Sequence, residues 1–209
     1  MGRKNHGSFS INTGALIWVV IGAAMTLRIL HVVFTARHNP LASDPALDAA
    51  NYDRWAKALI GGGDPGPIRL MAAPLYTWFL SLVYRLFGAN LTVVRFIQAL
   101  LGTASCAFIA VITRRLFRSQ AAAITAGMAA ALYLPSIFYE GLLMPTTIIL
   151  FLNLLFLICI LPKDLSPGPR RLLLAGVVLG LSVTAKPVAI LLLPFVVMHL
   201  LFVSRGLGT

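Results

Sequence analysis

The chain has 209 residues, 59% of them apolar and 11% charged, with a formal net charge of +11 and a mean hydropathy of +0.89. That balance excludes an ordinary soluble domain and indicates an all-α, polytopic membrane protein whose solvent is the bilayer. The positive charge does not point to nucleic acid, because the Lys and Arg residues sit in short tracts between apolar runs, as cytoplasmic membrane loops carry them.

Arg3 and Lys4 precede an apolar run from about Ala15 to Phe34, which is too long for the core of a secretory signal and reads as an uncleaved first span. In its later half Arg28 and His31 lie one turn apart. Arg28 is expected to snorkel to the interface, with a substrate-facing role as the alternative. Residues 36–70 then form a polar loop holding four of the six acidic residues, Asp44, Asp48, Asp53 and Asp64. Loops of this kind are where function concentrates.

Within the loop, Asp44 followed by Pro45 reads as a helix N-cap with proline at the first helical position, and Gly61-Gly62-Gly63 stops the helix. The spacing predicts a surface helix over Pro45 to Leu59, with Asp48, Tyr52, Trp55 and Leu59 on one face beside an apolar stripe suited to a membrane surface. The bland alternative is a loop helix whose charges are merely solvated. Asp53 reads as an exposed partner of Lys57. The glycines and Asp64-Pro65-Gly66-Pro67 form a turn to a second surface helix, Pro74 to Phe87. There Thr77, Ser81 and Arg85 recur every four residues among apolar neighbours, as expected of a segment lying in the interface.

Five later apolar runs read as spans: roughly Leu91 to Ile112, Ala121 to Phe138, Leu142 to Leu161, Leu172 to Ala185 and Val188 to Val203. With the first run they make about six. If Pro74 to Phe87 stays on one side, Arg114, Arg115, Arg118, Arg170 and Arg171 all fall in the cytoplasm with Arg3 and Lys4. If it crosses, those later arginines are forced outside, so the first arrangement is the expected one. Residues 36–90 are then an outer loop with two interfacial helices. Cys106 and Cys159 lie inside apolar runs without metal-ligand spacing and read as buried free thiols.

Several short motifs follow one another along this pattern: Asp48 with Tyr52 and Ala56, Ala73-Pro74-Leu75-Tyr76, Leu86-Phe87-Gly88, Val94-Arg95, Arg114-Arg115-Leu116-Phe117, Ala130 to Pro135, and Ala185-Lys186-Pro187. In order and spacing they resemble the N-terminal membrane module of the GT-C glycosyltransferases, nearest to the bacterial family 39 and aminoarabinose-transferase-like branch. The resemblance implies transfer of a sugar from a polyprenyl-phosphate carrier to a lipid, glycan or protein acceptor at the outer face. It also implies that Asp48 corresponds to the catalytic aspartate of the first outer loop and Tyr52 to the tyrosine one turn later. Where many relatives have Glu after the aspartate this chain has Ala49. Where the aminoarabinose transferases have Glu-Lys before the proline it has Ala72-Ala73, and their later acidic residue before a proline appears as Met144-Pro145. These departures weaken the case for a divalent metal and for aminoarabinose specificity, and no other cofactor is called for.

A lipid-phosphate sugar already carries a competent leaving group, so the protein must chiefly deprotonate the acceptor and stabilise charge on the departing phosphate. Asp48 is the candidate base, with an interfacial helix charge as its bland alternative. Glu140 lies on the same side at the mouth of a span and should face either a polar cavity or the headgroup layer. Lys186 is a candidate for the carrier phosphate, with snorkelling as the competing reading. Arg54, Arg69 and Arg95 are weaker candidates of that kind. No Gly-rich phosphate loop and no DxD motif is present, which disfavours a nucleotide-sugar donor.

The leading expectation is a lipid-linked-sugar-dependent glycosyltransferase in a bacterial inner membrane, with the N-terminus cytoplasmic and membrane lipids around it. The runner-up is a non-catalytic scaffold or lipid-binding subunit, or part of a transporter, which should show paired interrupted helices. GT-C enzymes are longer, so a fragment or split gene, inactive alone, is expected. 

Overall fold

The computed structural model describes residues 13–39, 43–63, 73–161, 168–195, 197–198 and 201, with side chains described from Ile17 onward. Arg69 therefore lies outside the described residues. Among those described there are helices and no strand: α1 (Thr13–His38), α2 (Asp48–Ile60), α3 (Pro74–Phe87), α4 (Leu91–Phe117), α5 (Gln120–Ala131), α6 (Leu134–Gly141), α7 (Thr146–Ile160) and α8 (Pro169–Ala185), followed by a 3-10 turn at Pro187–Leu191. The chain is an all-α membrane protein. By length and composition Ile17–His38 and Leu91–Phe117 are each long and apolar enough to cross a bilayer, and α5 with α6 makes a third if the bent pair is one span.

Proline explains where the spans depart from the apolar runs. Residues 121 to 138 are one run in sequence but two helices in space, bent by 45°. Pro135 sits in the first turn of α6, where its missing N–H and ring are tolerated, and the preceding turn cannot continue. Pro145 likewise delays α7 to Thr146, leaving 15 residues of helix. Pro187 ends α8 at Ala185.

The contacts give the bundle two ends. At one, Val20 of α1 and Ala110 of α4 meet at Gly127 of α5, where an added Cβ would come within 3.0 Å of either. Small residues let helices approach this closely without a hydrophobic drive between them. Arg115, in the last turn of α4, donates through Nη1 to Ile158 O at 2.9 Å and Leu161 O at 2.6 Å, closing the C-terminus of α7 at the same end. This is the basic end. At the other, the loop end, the second half of α1, the start of α4 and the end of α6 converge. Because α1 ends and α4 begins together, α2 and α3 link two helix ends that lie at the same end of the bundle.

The larger apolar cluster welds α2 and α3 to the bundle through Tyr52, Tyr76, Leu80, Tyr84, Val94, Leu143 and Ile148. This corrects two expectations. The face of α2 that carries Tyr52 rests on α3 and not on a membrane surface. On α3 the polar stripe does not face solvent throughout: Thr77 is fully buried with the core, while Trp78, Leu82 and Leu86 are exposed.

Candidate active site

Helix α2 starts at Asp48, not Pro45. Its N-cap is Leu47, which makes no side-chain cap, so Asp44 is not the cap the sequence suggested. Leu47 has φ 54°, a left-handed backbone that costs a branched residue about 1–3 kcal/mol, and it is 90% exposed. The strain turns the chain into the helix directly before Asp48, which stands exposed at the amino end, where the helix dipole favours a carboxylate.

Asp48 lines a pocket of about 240 Å³ with Leu47 and Ala49 on its own side. Arg95 of α4 and Leu142, Leu143 and Met144 of the α6–α7 turn form the facing wall. Arg95 is 3% exposed. Its Nε donates to Gly141 O at 2.8 Å, and among the described residues no carboxylate pairs with it. A buried guanidinium without an acid is costly to maintain and is free to receive an anion.

The turn that carries this wall is held by side chains. Gln98 donates through Nε2 to Glu140 O at 2.6 Å and Leu142 O at 2.8 Å, and it accepts from Tyr76 Oη at 2.7 Å. Non-helical backbone at membrane depth survives only where protein satisfies it, and Gln98 and Arg95 do so for three successive carbonyls. Gly141 is needed for the fit, since a Cβ there would lie 2.6 Å from His31 Nε2.

Tyr52, one turn beyond Asp48, is buried edge-on against Trp55 and Tyr76, with ring centroids at 5.7 Å and 5.1 Å. Burial first, and the Asp48 carboxylate second, push its phenol above the ordinary range, so it stays a neutral hydroxyl at neutral pH. Asp53 bonds Lys57 at 2.7 Å as expected, but it is 8% exposed rather than solvated, because Tyr84 Oη also donates to it at 2.7 Å. Burial, then this bond to Asp53, raise the Tyr84 phenol far above its usual range.

Glu140 meets neither of its two expected settings. It is 4% exposed and accepts from Arg28 Nε at 2.7 Å, Arg28 Nη2 at 3.0 Å and Ser136 Oγ at 2.9 Å. Arg28 does not snorkel, because this fork-on-carboxylate pair compensates it inside the bundle at 2% exposure. Gly102 makes the room, since any Cβ there would collide with the Glu140 carboxylate. Arg54 is exposed and donates to Asn51 Oδ1 at 3.0 Å, and Lys186 is exposed after α8; neither lines the Asp48 pocket. The structure thus brings Asp48 together with Arg95, which sequence reasoning ranked low. Its one sequence signal was an arginine just past the first turn of a span, where charge is expensive.

The pocket does not suit a divalent cation. Asp48 is the one carboxylate among the described lining residues, Met144 stands opposite, and the Arg95 guanidinium adds positive charge. No group of three His, Cys, Asp or Glu side chains able to hold a metal occurs among the described residues.

A family model for dolichyl-phosphate-mannose-protein mannosyltransferases matches residues 71–208, a stretch that contains Arg95, Glu140 and Lys186 and begins after Asp48. Searches of the curated proteins and of the solved structures return no match.

Proposed function

Because the chain belongs to the dolichyl-phosphate-mannose-protein mannosyltransferase family, a family of glycosyltransferases, we propose that it moves a sugar from a polyprenyl-phosphate carrier to an acceptor hydroxyl in the pocket between Asp48 and Arg95. The observation that carries this reading is the pairing, in one 240 Å³ pocket, of an exposed carboxylate with a buried guanidinium that no acid among the described residues neutralises. Asp48 takes the acceptor proton as the acceptor oxygen attacks the anomeric carbon. The bond from that carbon to the phosphate oxygen breaks, its electrons stay on the phosphate, and Arg95 meets the charge that develops there. Tyr52, neutral and packed beneath the start of α2, positions that turn.

The site is read as facing outward, with the N-terminus cytoplasmic in a bacterial inner membrane, since the basic end carries Arg114, Arg115 and Arg118. Ser81→Cys, in a background without Cys106 and Cys159, should be labelled by an impermeant thiol reagent in intact cells. Protection until the cells are opened would put the site inside.

The catalytic reading is tested by transfer from a polyprenyl-phosphate sugar in membranes at matched protein level. Asp48→Asn should lower the chemical step by about 10²–10⁴-fold, and Asp53→Asn, whose carboxylate already serves Tyr84 and Lys57, should act on stability before rate. Equal transfer by Asp48→Asn and the parent chain would move the base elsewhere.

A further inference from the structure

Both walls of the Asp48 pocket lead back to one side chain. Tyr76, in the first turn of α3, is fully buried. On one side its ring packs edge-on against Tyr52, one turn past Asp48 on α2, with centroids 5.1 Å apart. On the other its hydroxyl donates to Gln98 Oε1 on α4 at 2.7 Å. Gln98 in turn holds Glu140 O and Leu142 O, the carbonyls either side of the Gly141 oxygen that receives Arg95. The helix that carries the carboxylate and the turn that forms the facing wall are thus registered through a single phenol.

That hydroxyl decides how Gln98 can act. A side-chain amide offers one oxygen and one NH2 group, and the two turn carbonyls can only accept, so the NH2 must face them. Oε1 is left pointing the other way in a residue with no exposed surface, and Tyr76 Oη is its donor among the described residues. Burial pushes the Tyr76 phenol well above its ordinary range, so it stays protonated and able to donate at neutral pH. Without it, Gln98 either keeps the turn with Oε1 unsatisfied or flips and sets Oε1 against two carbonyl oxygens. Both outcomes loosen the turn, while a bare ring at position 76 still supports Tyr52.

We propose that Tyr76 is a positioning residue for the Asp48–Arg95 pocket: its hydroxyl fixes the Gln98 amide, and Gln98 fixes the α6–α7 turn at the spacing from α2 that the pocket needs. The effect on rate rests on the catalytic reading above; the effect on spacing does not.

The test places cysteines across the pocket, Ala49→Cys on α2 and Met144→Cys in the turn, in the full chain lacking Cys106 and Cys159 and embedded in membranes. Bridging by a short bis-methanethiosulfonate should fall in yield about 2–10-fold in Tyr76→Phe, the population shift that one lost hydrogen bond allows. Tyr84→Phe loses a phenol bond of the same length from the same helix, to Asp53 instead of Gln98, and should bridge as the parent does. In chains without the added cysteines, at matched amounts of folded protein, kcat/KM for transfer from a polyprenyl-phosphate sugar should fall by the same factor in Tyr76→Phe and hold in Tyr84→Phe. A merely structural role would move neither kcat/KM nor the bridging yield of the folded protein. On a Gln98→Met background Tyr76→Phe should add no further loss, since its path runs through the amide. Unchanged bridging in Tyr76→Phe, equal losses in Tyr84→Phe, a full further loss on the Gln98→Met background, or unchanged kcat/KM in a chain whose transfer depends on Asp48 would each overturn the proposal. Bridging needs no turnover, so the two readings fail separately: reduced bridging in Tyr76→Phe beside full transfer by Asp48→Asn supports the positioning and removes only the catalytic role of the pocket.

Discussion

Arg28 and Arg95 are both buried near the loop end of the bundle, yet one is closed and the other open. Arg28 is held by both oxygens of Glu140, whereas Arg95, among the described residues, bonds a backbone carbonyl at Gly141 and no carboxylate. A guanidinium forked onto a carboxylate has spent its charge and serves to fix helices. One that touches only a neutral dipole keeps its charge for whatever enters beside it. The same contrast separates the acids: Glu140 and Asp53 are buried and saturated, while Asp48 is exposed at the rim of the pocket that Arg95 lines. On the proposed reading, burial of a charge does not by itself mark function; the state of its partner does.

The sharpest way to break that contrast is to remove one half of the closed pair. Glu140→Ala leaves Arg28 buried without compensation and should cost about 3–5 kcal/mol, seen as loss of folded protein in membranes or a collapsed thermal midpoint in detergent. The double variant Arg28→Met/Glu140→Met should recover most of that loss, since replacing a whole buried pair by apolar side chains is often neutral. Failure of the double variant to recover would mean that the pair supplies more than mutual compensation.

A smaller effect is expected at the latch between α2 and α3. Tyr84→Phe removes a hydrogen bond to a charged acceptor and should cost about 1.5–3 kcal/mol in the same measurement. Lys57→Met should cost no more than about 1 kcal/mol, because the lysine end of that contact is largely in solvent. Equal costs would show that Tyr84 is not what anchors Asp53.

The smallest effect is at Asp44. As an N-cap it would contribute about 0.5–2 kcal/mol, but the helix begins three residues after Pro45, so Asp44→Ala should leave the midpoint unchanged within about 0.5 kcal/mol. A drop of cap size would restore the helix start expected from the sequence.

Much of the helical layout was legible because local signals set it. Pro74 and Gly88 bound α3 at the predicted residues, and Gly61 closes α2 one residue beyond the expected end. The split of residues 121–138 was also written in the chain, at Pro135, but a hydropathy run hides a break that changes no apolar residue. The start of α2 was not legible, since Asp-Pro is a sound local cap signal and tertiary packing of Tyr52 and Ala56 on α3 overrode it. The fate of the charges lay furthest from view. Arg28 and Glu140 are 112 positions apart, and no periodicity within one segment can say that they meet. Without that pairing, Glu140 looks like a site residue, Arg28 looks like a snorkelling one, and Arg95 looks no different from Arg54.

The most direct test of the contrast is a single-turnover transfer assay that compares Asp48→Asn with the Arg28→Met/Glu140→Met double variant at equal amounts of folded protein. The open site should carry the chemistry and the closed pair the structure. Asp48→Asn should therefore keep the parent thermal midpoint and lose transfer by about 10²–10⁴-fold, while the double variant stays within about tenfold of the parent. Full transfer by Asp48→Asn, together with loss of transfer in a well-folded double variant, would contradict this assignment and make Arg28 and Glu140 the reacting pair.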